Sequence, residues 1–217
     1  MHDKISLKLT YERIWLIRKS LGVAFKVPLV VFYIIMPIFL ILYWQHSVSD
    51  VFISFRTFFN QIAFLLIPFF SVWWSLLSLR ERTEGDGREL FQVFRIRPSY
   101  FDAAILFVLS LIAIFVFYLV AHLVFGRFFL EYVRISMISI FFFGLMAILT
   151  QITSSITATM LVLLLYSLVS IVLSYQRFPL YGQYQEIYQT GELFAYLKFV
   201  LAGLFLAIAS WLIPDRL

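Results

Sequence analysis

The sequence predicts an all-α integral membrane protein with six transmembrane helices, and three observations support this fold class. Hydrophobic residues make up 63% of the 217 residues and charged residues only 13%, whereas soluble domains average about 45–50% apolar and about 25% charged residues. The apolar residues form long uncharged blocks, and a helix needs about 20 such residues to cross a hydrocarbon core of roughly 30 Å. The basic residues lie in the segments that flank these blocks.

Six blocks are long and apolar enough to span the membrane. No charged residue occurs between Arg134 and Arg177, and the polar run at 150–155 divides this stretch into two spans. The predicted spans run from about Pro28 to Trp44, Phe58 to Leu79, Ala103 to Phe125, 135 to 150, 156 to 175, and Leu193 to Ile213.

The distribution of lysine and arginine predicts the orientation of these spans. Twelve basic residues fall on the side of the N-terminus and five on the opposite side. Loops on the cytoplasmic side of a membrane carry an excess of these residues. We therefore expect a multi-pass protein of the plasma membrane with both termini in the cytoplasm.

Residues 1–27 predict an amphipathic helix in the membrane plane, ahead of a transmembrane domain at 28–217. Lysines fall on one side of the helix and apolar residues on the other, and such a helix lies with its apolar face in the lipid. A solvated helix and an extension of the first span remain alternatives. The apolar side carries Leu7, Ile14, Ile17, Leu21 and Phe25, and the polar side carries Lys8, Glu12, Lys19 and Lys26.

No motif in the sequence predicts catalysis. The chain has no cysteine, which excludes disulfides, thiolate metal sites and cysteine nucleophiles. It has neither the Gly-x-x-x-x-Gly-Lys-Ser/Thr loop that binds nucleotide phosphates nor His-Glu-x-x-His. We expect no enzyme activity, no metal site and no cofactor in this chain. The flanking basic residues indicate membrane orientation, so we expect no binding to nucleic acid.

Ionisable residues are almost absent from the predicted spans. Only His122 and Lys198 lie within them, and we expect His122 to be interfacial or hydrogen-bonded rather than part of a proton relay. Ion-coupled carriers use intramembrane carboxylates or broken helices, and the sequence predicts neither. Pro37 and Pro68 interrupt the first two spans, where each removes a backbone hydrogen bond and favours a kink.

Polar uncharged residues within the spans are candidates for lining a substrate path. Their chemistry favours an apolar or amphipathic cargo such as a lipid, a hydrophobic peptide or a lipophilic drug. The alternative is that small hydroxyl residues allow close helix packing. The candidates are Asn60, Gln61, Thr150, Gln151, Thr153, Ser154, Ser155 and Thr157.

The segment between the second and third spans concentrates charge in a chain that has little. The loop at 80–100 carries nine charges between positions 80 and 97, with glycines at 85 and 87. A short amphipathic stretch follows and ends at Pro98. A cytoplasmic helix with exposed apolar residues fits a groove on a partner protein. A helix lying against lipid headgroups is the alternative.

The layout and this loop resemble the permease subunit of an ABC exporter of the second type. That family has an in-plane N-terminal helix, two spans, a charged coupling helix and four further spans. Its loop reads Glu-(x)n-Gly-Thr-x-Glu-x-Leu-Leu-x-x-Pro, and here Glu84, Gly87, Glu89, Leu90 and Pro98 occur in that order. The sequence departs from the pattern because no threonine follows the glycine, the second glutamate comes one residue early and the proline one helical turn late. The Gly-Lys pair often found at the start of the third span is replaced by an aspartate, at position 102.

The resemblance implies a set of partners. Permeases of this family work as pairs, either homodimers or heterodimers, with two copies of a cytoplasmic ABC ATPase that bind ATP and Mg²⁺. The external loop, here 176–192, often carries short re-entrant helices. A non-transporting membrane protein, such as a bacteriocin-immunity or assembly component, remains the alternative. The residues that the resemblance assigns to ATPase coupling are Glu84, Gly87, Arg88, Glu89, Leu90, Phe91, Val93, Phe94 and Pro98.

Overall fold

The computed structural model describes Trp15, Lys19 and residues 22–47, 55–83, 100–126, 128–173, 180–181 and 190–212. Every element assigned within these residues is helical. Gly22–Lys26 and Thr190–Tyr196 are 3₁₀ helices, and Val31–Ile35 is a π-helix. The α-helices are α1 (Val27–Val30), α2 (Met36–Ser47), α3 (Phe55–Ser71), α4 (Trp73–Thr83), α5 (Tyr100–Phe125), α6 (Phe129–Thr153), α7 (Ile156–Val172) and α8 (Leu197–Leu212).

The predicted fold class is confirmed, because over the described residues each predicted span is helical, apart from single turn residues at Val72 and Leu173. Five segments are long and apolar enough to cross a membrane, and α7, with 17 residues, is a shorter apolar helix. The protein is therefore an all-α membrane protein. The five long segments are Gly22–Leu42, Phe59–Arg80, Phe101–Phe125, Phe129–Thr153 and Gly191–Leu212.

Successive spans run in opposite directions between two ends of the bundle. At the end that we name the Phe128 end, the Phe128 ring lies 5.9 Å from that of Phe59, and Trp44 lies 5.7 Å from Phe125. The opposite Ser155 end contains the turn between α6 and α7. There the start of the first span meets α4, and the Trp74 indole donates to the Phe25 carbonyl at 2.9 Å.

The second span, formed by α3 and α4, lies at the centre of the bundle. In an apolar window of 18 residues from this span, 67% of the residues are buried, against 28% in the first span and 22% in the sixth. It contacts the first, third, fourth and fifth spans. The side chains of Phe59, Ala63, Phe64 and Ile67 are fully buried along α3. Any local irregularity in this span therefore has to be accommodated by neighbouring helices rather than by lipid.

The sixth span is attached to the bundle mainly through α6. Gly144 and Gly203 lie at the point where α6 and α8 meet. A Cβ atom on Gly203 would lie 2.6 Å from the carbonyl oxygen of Ile140, and one on Gly144 would overlap the backbone of Gly203. Small residues at such a crossing allow two helix backbones to touch, which strengthens packing in a lipid environment.

Several sequence predictions fall on residues outside the described ranges. The nine predicted coupling residues fall between α4 and α5, outside the described ranges. Most of the predicted external loop, which follows α7, also lies outside them. Of the predicted in-plane helix, the structure describes Trp15, Lys19 and the turn that begins at Gly22. The in-plane orientation and the coupling role stay predictions.

Candidate functional site: a proline break in the buried span

The second span is broken close to Pro68. Helix α3 ends at Ser71, Val72 forms a turn, and α4 begins at Trp73. Proline has no backbone N–H, so the carbonyl of Phe64, four residues earlier, cannot receive its usual helical hydrogen bond. An unpaired carbonyl is costly in a dehydrated interior. The sequence predicted that this proline favours a kink, and the structure interrupts the helix for one residue, Val72.

Two hydroxyl groups from other parts of the chain bond to the carbonyls next to the proline. Tyr181 donates from its phenol to the Phe64 carbonyl at 3.1 Å. Ser167 of α7 donates from its hydroxyl to the Leu65 carbonyl at 3.0 Å, and its Oγ lies 2.8 Å from the Tyr181 oxygen. The two hydroxyls carry one hydrogen each, so only two of these three contacts are hydrogen bonds at a time. When both hydroxyls donate to the carbonyls, the phenol takes the place of the donor that Pro68 lacks.

The carbonyls on the far side of the proline are bonded in the same way. The Ser71 hydroxyl donates to the Pro68 carbonyl at 2.7 Å. The Ser110 hydroxyl of α5 donates to the Ser71 carbonyl at 2.5 Å. Pro68 frees only the carbonyl four residues earlier, so these serine hydroxyls add hydrogen bonds at the break and do not replace a donor that the proline lacks. The break is therefore held by hydroxyls from three directions rather than left to strain.

Tyr181 reaches the break from the connection between α7 and the sixth span. It is 2% exposed, although it lies outside any helix. Its ring packs 5.8 Å from Phe142, 5.9 Å from Tyr166 and 6.4 Å from Phe64. Burial raises the pKa of Tyr181 above its usual value, and the hydrogen bond with Ser167 opposes this only in part. The phenol therefore stays protonated and remains a donor.

A buried ion pair lies next to this network, on the first turns of α6. Glu131 and Arg134 form the pair and are 2% and 0% exposed. The guanidinium carbon of Arg134 lies 4.3 Å from the ring centre of Phe64 and 5.7 Å from that of Tyr196. Arginine stacked on aromatic rings is stabilised by cation–π attraction. Arg134 thereby joins the second, fourth and sixth spans.

This ion pair corrects two predictions from the sequence. The fourth span begins at Phe129 rather than near 135, so Arg134 belongs to the helix and not to an external loop. A buried carboxylate, Glu131, lies on the first turn of this helix, which could cross a membrane, whereas the sequence predicted no carboxylate within a span. The prediction was wrong because it used uncharged stretches to set the span boundary. An i, i+3 pair of opposite charges can be buried on one helix face, and the spacing of Glu131 and Arg134 was a usable signal.

His122 has the hydrogen-bonded role that the sequence predicted. Its Nδ1 accepts a hydrogen bond from the Phe128 backbone N–H at 3.2 Å. The bond closes the turn between α5 and α6, where Gly126 adopts a φ of +69°. A left-handed residue of this kind commonly ends a helix. His122 therefore caps a turn.

The predicted path residues do not form one cluster. Asn60 and Gln61 lie near the Phe128 end, one turn before Phe64. The residues from 150 to 157 end α6, form the turn at 154–155 and begin α7 at the Ser155 end. At that turn Thr150 is buried and bonds to the Met146 carbonyl at 2.8 Å, while Thr157 is exposed. The Ser155 oxygen accepts from the Ala158 N–H and begins α7. Residues at this turn thus have local structural roles, and their part in a path stays a prediction. Gln151 and Thr153 lie in the last helical turn of α6, and Ser154 follows it.

Asn60 is the exception among these residues. It is fully buried, and neither its amide nitrogen nor its amide oxygen has a hydrogen-bond partner within the described residues. The phenol oxygen of Tyr118, which is 1% exposed, is in the same position. Buried polar groups are normally hydrogen-bonded. Among the candidate path residues, Asn60 is therefore the one with a buried amide group that makes no hydrogen bond to the described residues.

No group of three or more histidine, cysteine, aspartate or glutamate side chains converges in the described part of the chain. Comparison with protein-family models, with curated proteins and with solved structures finds no match to this chain. The functional assignment therefore depends on the geometry of the bundle and on the sequence resemblance.

Proposed function

We propose that this protein is the membrane-spanning permease subunit of an ATP-driven ABC exporter. One observation carries the proposal: the buried, broken second span continues through α4 into the charged segment that resembles a coupling helix. A force applied to that segment acts on one arm of a broken helix in the centre of the bundle. The same segment leads into α5, so both flanking spans receive the force.

Contacts at the Ser155 end support joint movement of α4 and α5. The Ser75 hydroxyl of α4 donates to the Ala103 carbonyl of α5 at 2.7 Å. Trp73 and Trp74 also donate from their indoles to the carbonyls of Ala24 and Phe25, at 3.2 and 2.9 Å. These bonds tie the start of the first span to α4. Rigid-body movement of packed helices about a hinge is a common switching mode, and the turn at Val72 provides a hinge.

The remaining parts of the transporter lie in other subunits. Two cytoplasmic ATPases bind ATP and Mg²⁺ and grip the segment from Glu84 to Pro98. A second permease completes the path, and the cargo is apolar or amphipathic. The termini lie in the cytoplasm, on the side where twelve of the basic residues occur. The first test is copurification: the tagged chain, extracted in mild detergent from its native membrane, should bring an ATPase with it.

A functional test uses the reconstituted complex. Glu89→Ala and Phe91→Ala should each lower the ATPase rate that cargo stimulates by roughly fivefold or more, because coupling between sites is commonly of that size. Glu192→Gln is the matched control, since Glu192 is exposed at the start of the sixth span, at the opposite end of the bundle. The proposal fails if no ATPase copurifies, or if one does and all three variants behave alike.

An ion-coupled carrier is the second candidate, and the buried Glu131 with the broken second span favours it. Both features occur in carriers that use ion gradients. Transport by vesicles that contain only this chain, driven by a proton or sodium gradient without ATP, would support it. Glu131→Gln should then abolish transport. Absence of transport under either energy source would favour a non-transporting immunity or assembly component.

A further inference from the structure

Two buried polar side chains near the ion pair of α6 make no hydrogen bond to the described part of the chain. Asn60 of α3 is fully buried, and both polar atoms of its amide group are without such a partner. The phenol oxygen of Tyr118 on α5, which is 1% exposed, is without one as well. A buried amide or hydroxyl that makes no hydrogen bond is costly. A bound ligand or water molecule is the usual explanation for such groups in a native protein.

Both side chains lie at the level of Glu131 and Arg134. Asn60 precedes Phe64 by one helical turn, so the two residues share a face of α3. The ring centre of Phe64 lies 4.3 Å from the guanidinium carbon of Arg134, and Glu131 precedes Arg134 by one turn in the same direction along the bundle. Tyr118 is close enough to interact electrostatically with both charged groups. The second, third and fourth spans thus bring an amide, a phenol and an ion pair to one level of the bundle.

The chemistry of these groups selects an uncharged ligand. The Asn60 amide offers donors and an acceptor, and the Tyr118 phenol can donate or accept. The charges of Glu131 and Arg134 cancel, so a bound ion would add an uncompensated charge to the interior, which is strongly unfavourable. A buried water molecule makes about three hydrogen bonds to groups that otherwise lack partners, and it can donate and accept.

We propose that Asn60 and Tyr118, together with the Glu131–Arg134 pair, form a water-binding site inside the membrane-spanning bundle. The water bonds to the amide and the phenol and reaches the ion pair from the side of the second and third spans. It supplies the hydrogen bonds that the described residues do not provide, and it joins three spans through a ligand instead of by direct contact. The site lies within this chain and is independent of the proposed transport function.

Asn60 is the only asparagine in the chain, which allows a direct test. Labelling with ¹⁵N-asparagine gives one side-chain amide signal and one backbone signal, and magic-angle-spinning NMR in lipid bilayers measures the transfer of magnetisation from water to each. We expect the side-chain signal to build up faster, because the backbone N–H lies inside α3. Equal build-up of the two signals would overturn the proposal.

Tyr118→Phe gives a second test, in which a hydrated and a dry site predict opposite signs. The substitution removes the hydroxyl and adds no volume. If the phenol bonds to water, the equilibrium constant for unfolding in mixed detergent micelles should rise roughly fivefold. In a dry site the change removes an unsatisfied polar group, and the constant should stay the same or fall. An unchanged or lower constant would contradict the proposal.

Ser139→Ala is the matched control for this measurement. Ser139 is also fully buried, and its hydroxyl has no partner among the described residues. It lies about two turns beyond Glu131 on α6, toward the Ser155 end. Its removal should change the unfolding constant by less than about twofold. An equal rise for Ser139→Ala and Tyr118→Phe would overturn the proposal, because the effect would then not be specific to the site.

A cation is the alternative occupant, and salt exchange distinguishes it from water. Replacement of sodium chloride by choline chloride should leave both the Asn60 side-chain signal and the unfolding constant unchanged if water occupies the site. A shift of that signal on exchange would overturn the assignment to an uncharged ligand.

Discussion

The first and second spans each contain a proline, and the two spans accommodate it differently. Before Pro37 the helix widens into the π-helix Val31–Ile35, in which the Met36 N–H bonds to the Val31 carbonyl five residues back. The wider turn makes room for the proline ring against the preceding backbone. At Pro68 the helix breaks, and hydroxyls from α5, α7 and Tyr181 bond to its carbonyls.

Burial explains the difference. In the first span, 28% of the residues in its apolar 18-residue window are buried, and this span can change its own helical pitch because lipid adapts to its outer face. In the second span, 67% of the corresponding residues are buried, and other helices surround it. Its neighbours have to provide the missing hydrogen bonds, since lipid offers none. A proline in an exposed span is thus a local feature, whereas a proline in the central span ties several segments together.

The largest expected effect concerns Arg134, which stacks on Phe64 of the second span. Arg134→Met leaves Glu131 charged and buried, so it should lower the free energy of unfolding by about 3–5 kcal/mol. Denaturation in mixed detergent micelles measures this loss. The double variant Glu131→Leu with Arg134→Met should recover most of it, because no charge then remains buried. If the double variant is as unstable as the single variant, the ion pair with Glu131 does not explain the contribution of Arg134 to the free energy of unfolding.

The crossing of α6 and α8 adds a third kind of contact to the comparison. Gly203→Ala places a Cβ atom 2.6 Å from the Ile140 carbonyl oxygen, and overpacking of this kind costs about 1–3 kcal/mol. The same unfolding assay measures it. Gly191→Ala is the control, because nothing lies within 4 Å of its added Cβ atom, and it should be nearly neutral. Equal effects would show that α8 is not held by backbone contact.

Removing one hydroxyl from each span tests the comparison itself. Ser167→Ala removes a buried hydrogen bond to the Leu65 carbonyl and should cost about 1–1.5 kcal/mol. Tyr33→Phe removes the bond from an exposed tyrosine of the first span to the Ala113 carbonyl, which measures 2.9 Å. It should cost no more than about 1 kcal/mol. The order of the two losses in the unfolding assay is the readout, and a reversed order would contradict the account.

The smallest expected effect is in the first span, where two substitutions should show no energetic coupling. Pro37→Ala and Tyr33→Phe should have additive effects on unfolding, within about 0.5 kcal/mol, because the π-helix accommodates its proline without an outside donor. Pro68→Ala and Tyr181→Phe should not be additive. Coupling of similar size in both pairs would mean that the two prolines are accommodated in the same way.

The sequence was sufficient to predict the six helices, the interruption of the first two spans by Pro37 and Pro68, and the hydrogen-bonded role of His122. These features depend on the local chemistry of the chain. It missed the Glu131–Arg134 pair, since hydropathy counts each charge separately and ignores that two opposite charges can neutralise each other on one face. It also missed Tyr181. Nothing local marks a tyrosine in a polar connection as buried, and only the tertiary fold places it against a carbonyl 117 residues away.

The most direct test of the account is hydrogen–deuterium exchange of the Ser167→Ala variant in lipid nanodiscs. We predict faster exchange at the amides of residues 69–76, on both sides of the break at Val72, and unchanged exchange in residues 31–42 of the first span. Equal changes in the two spans, or no change in the second, would contradict the claim that neighbouring hydroxyls hold the break.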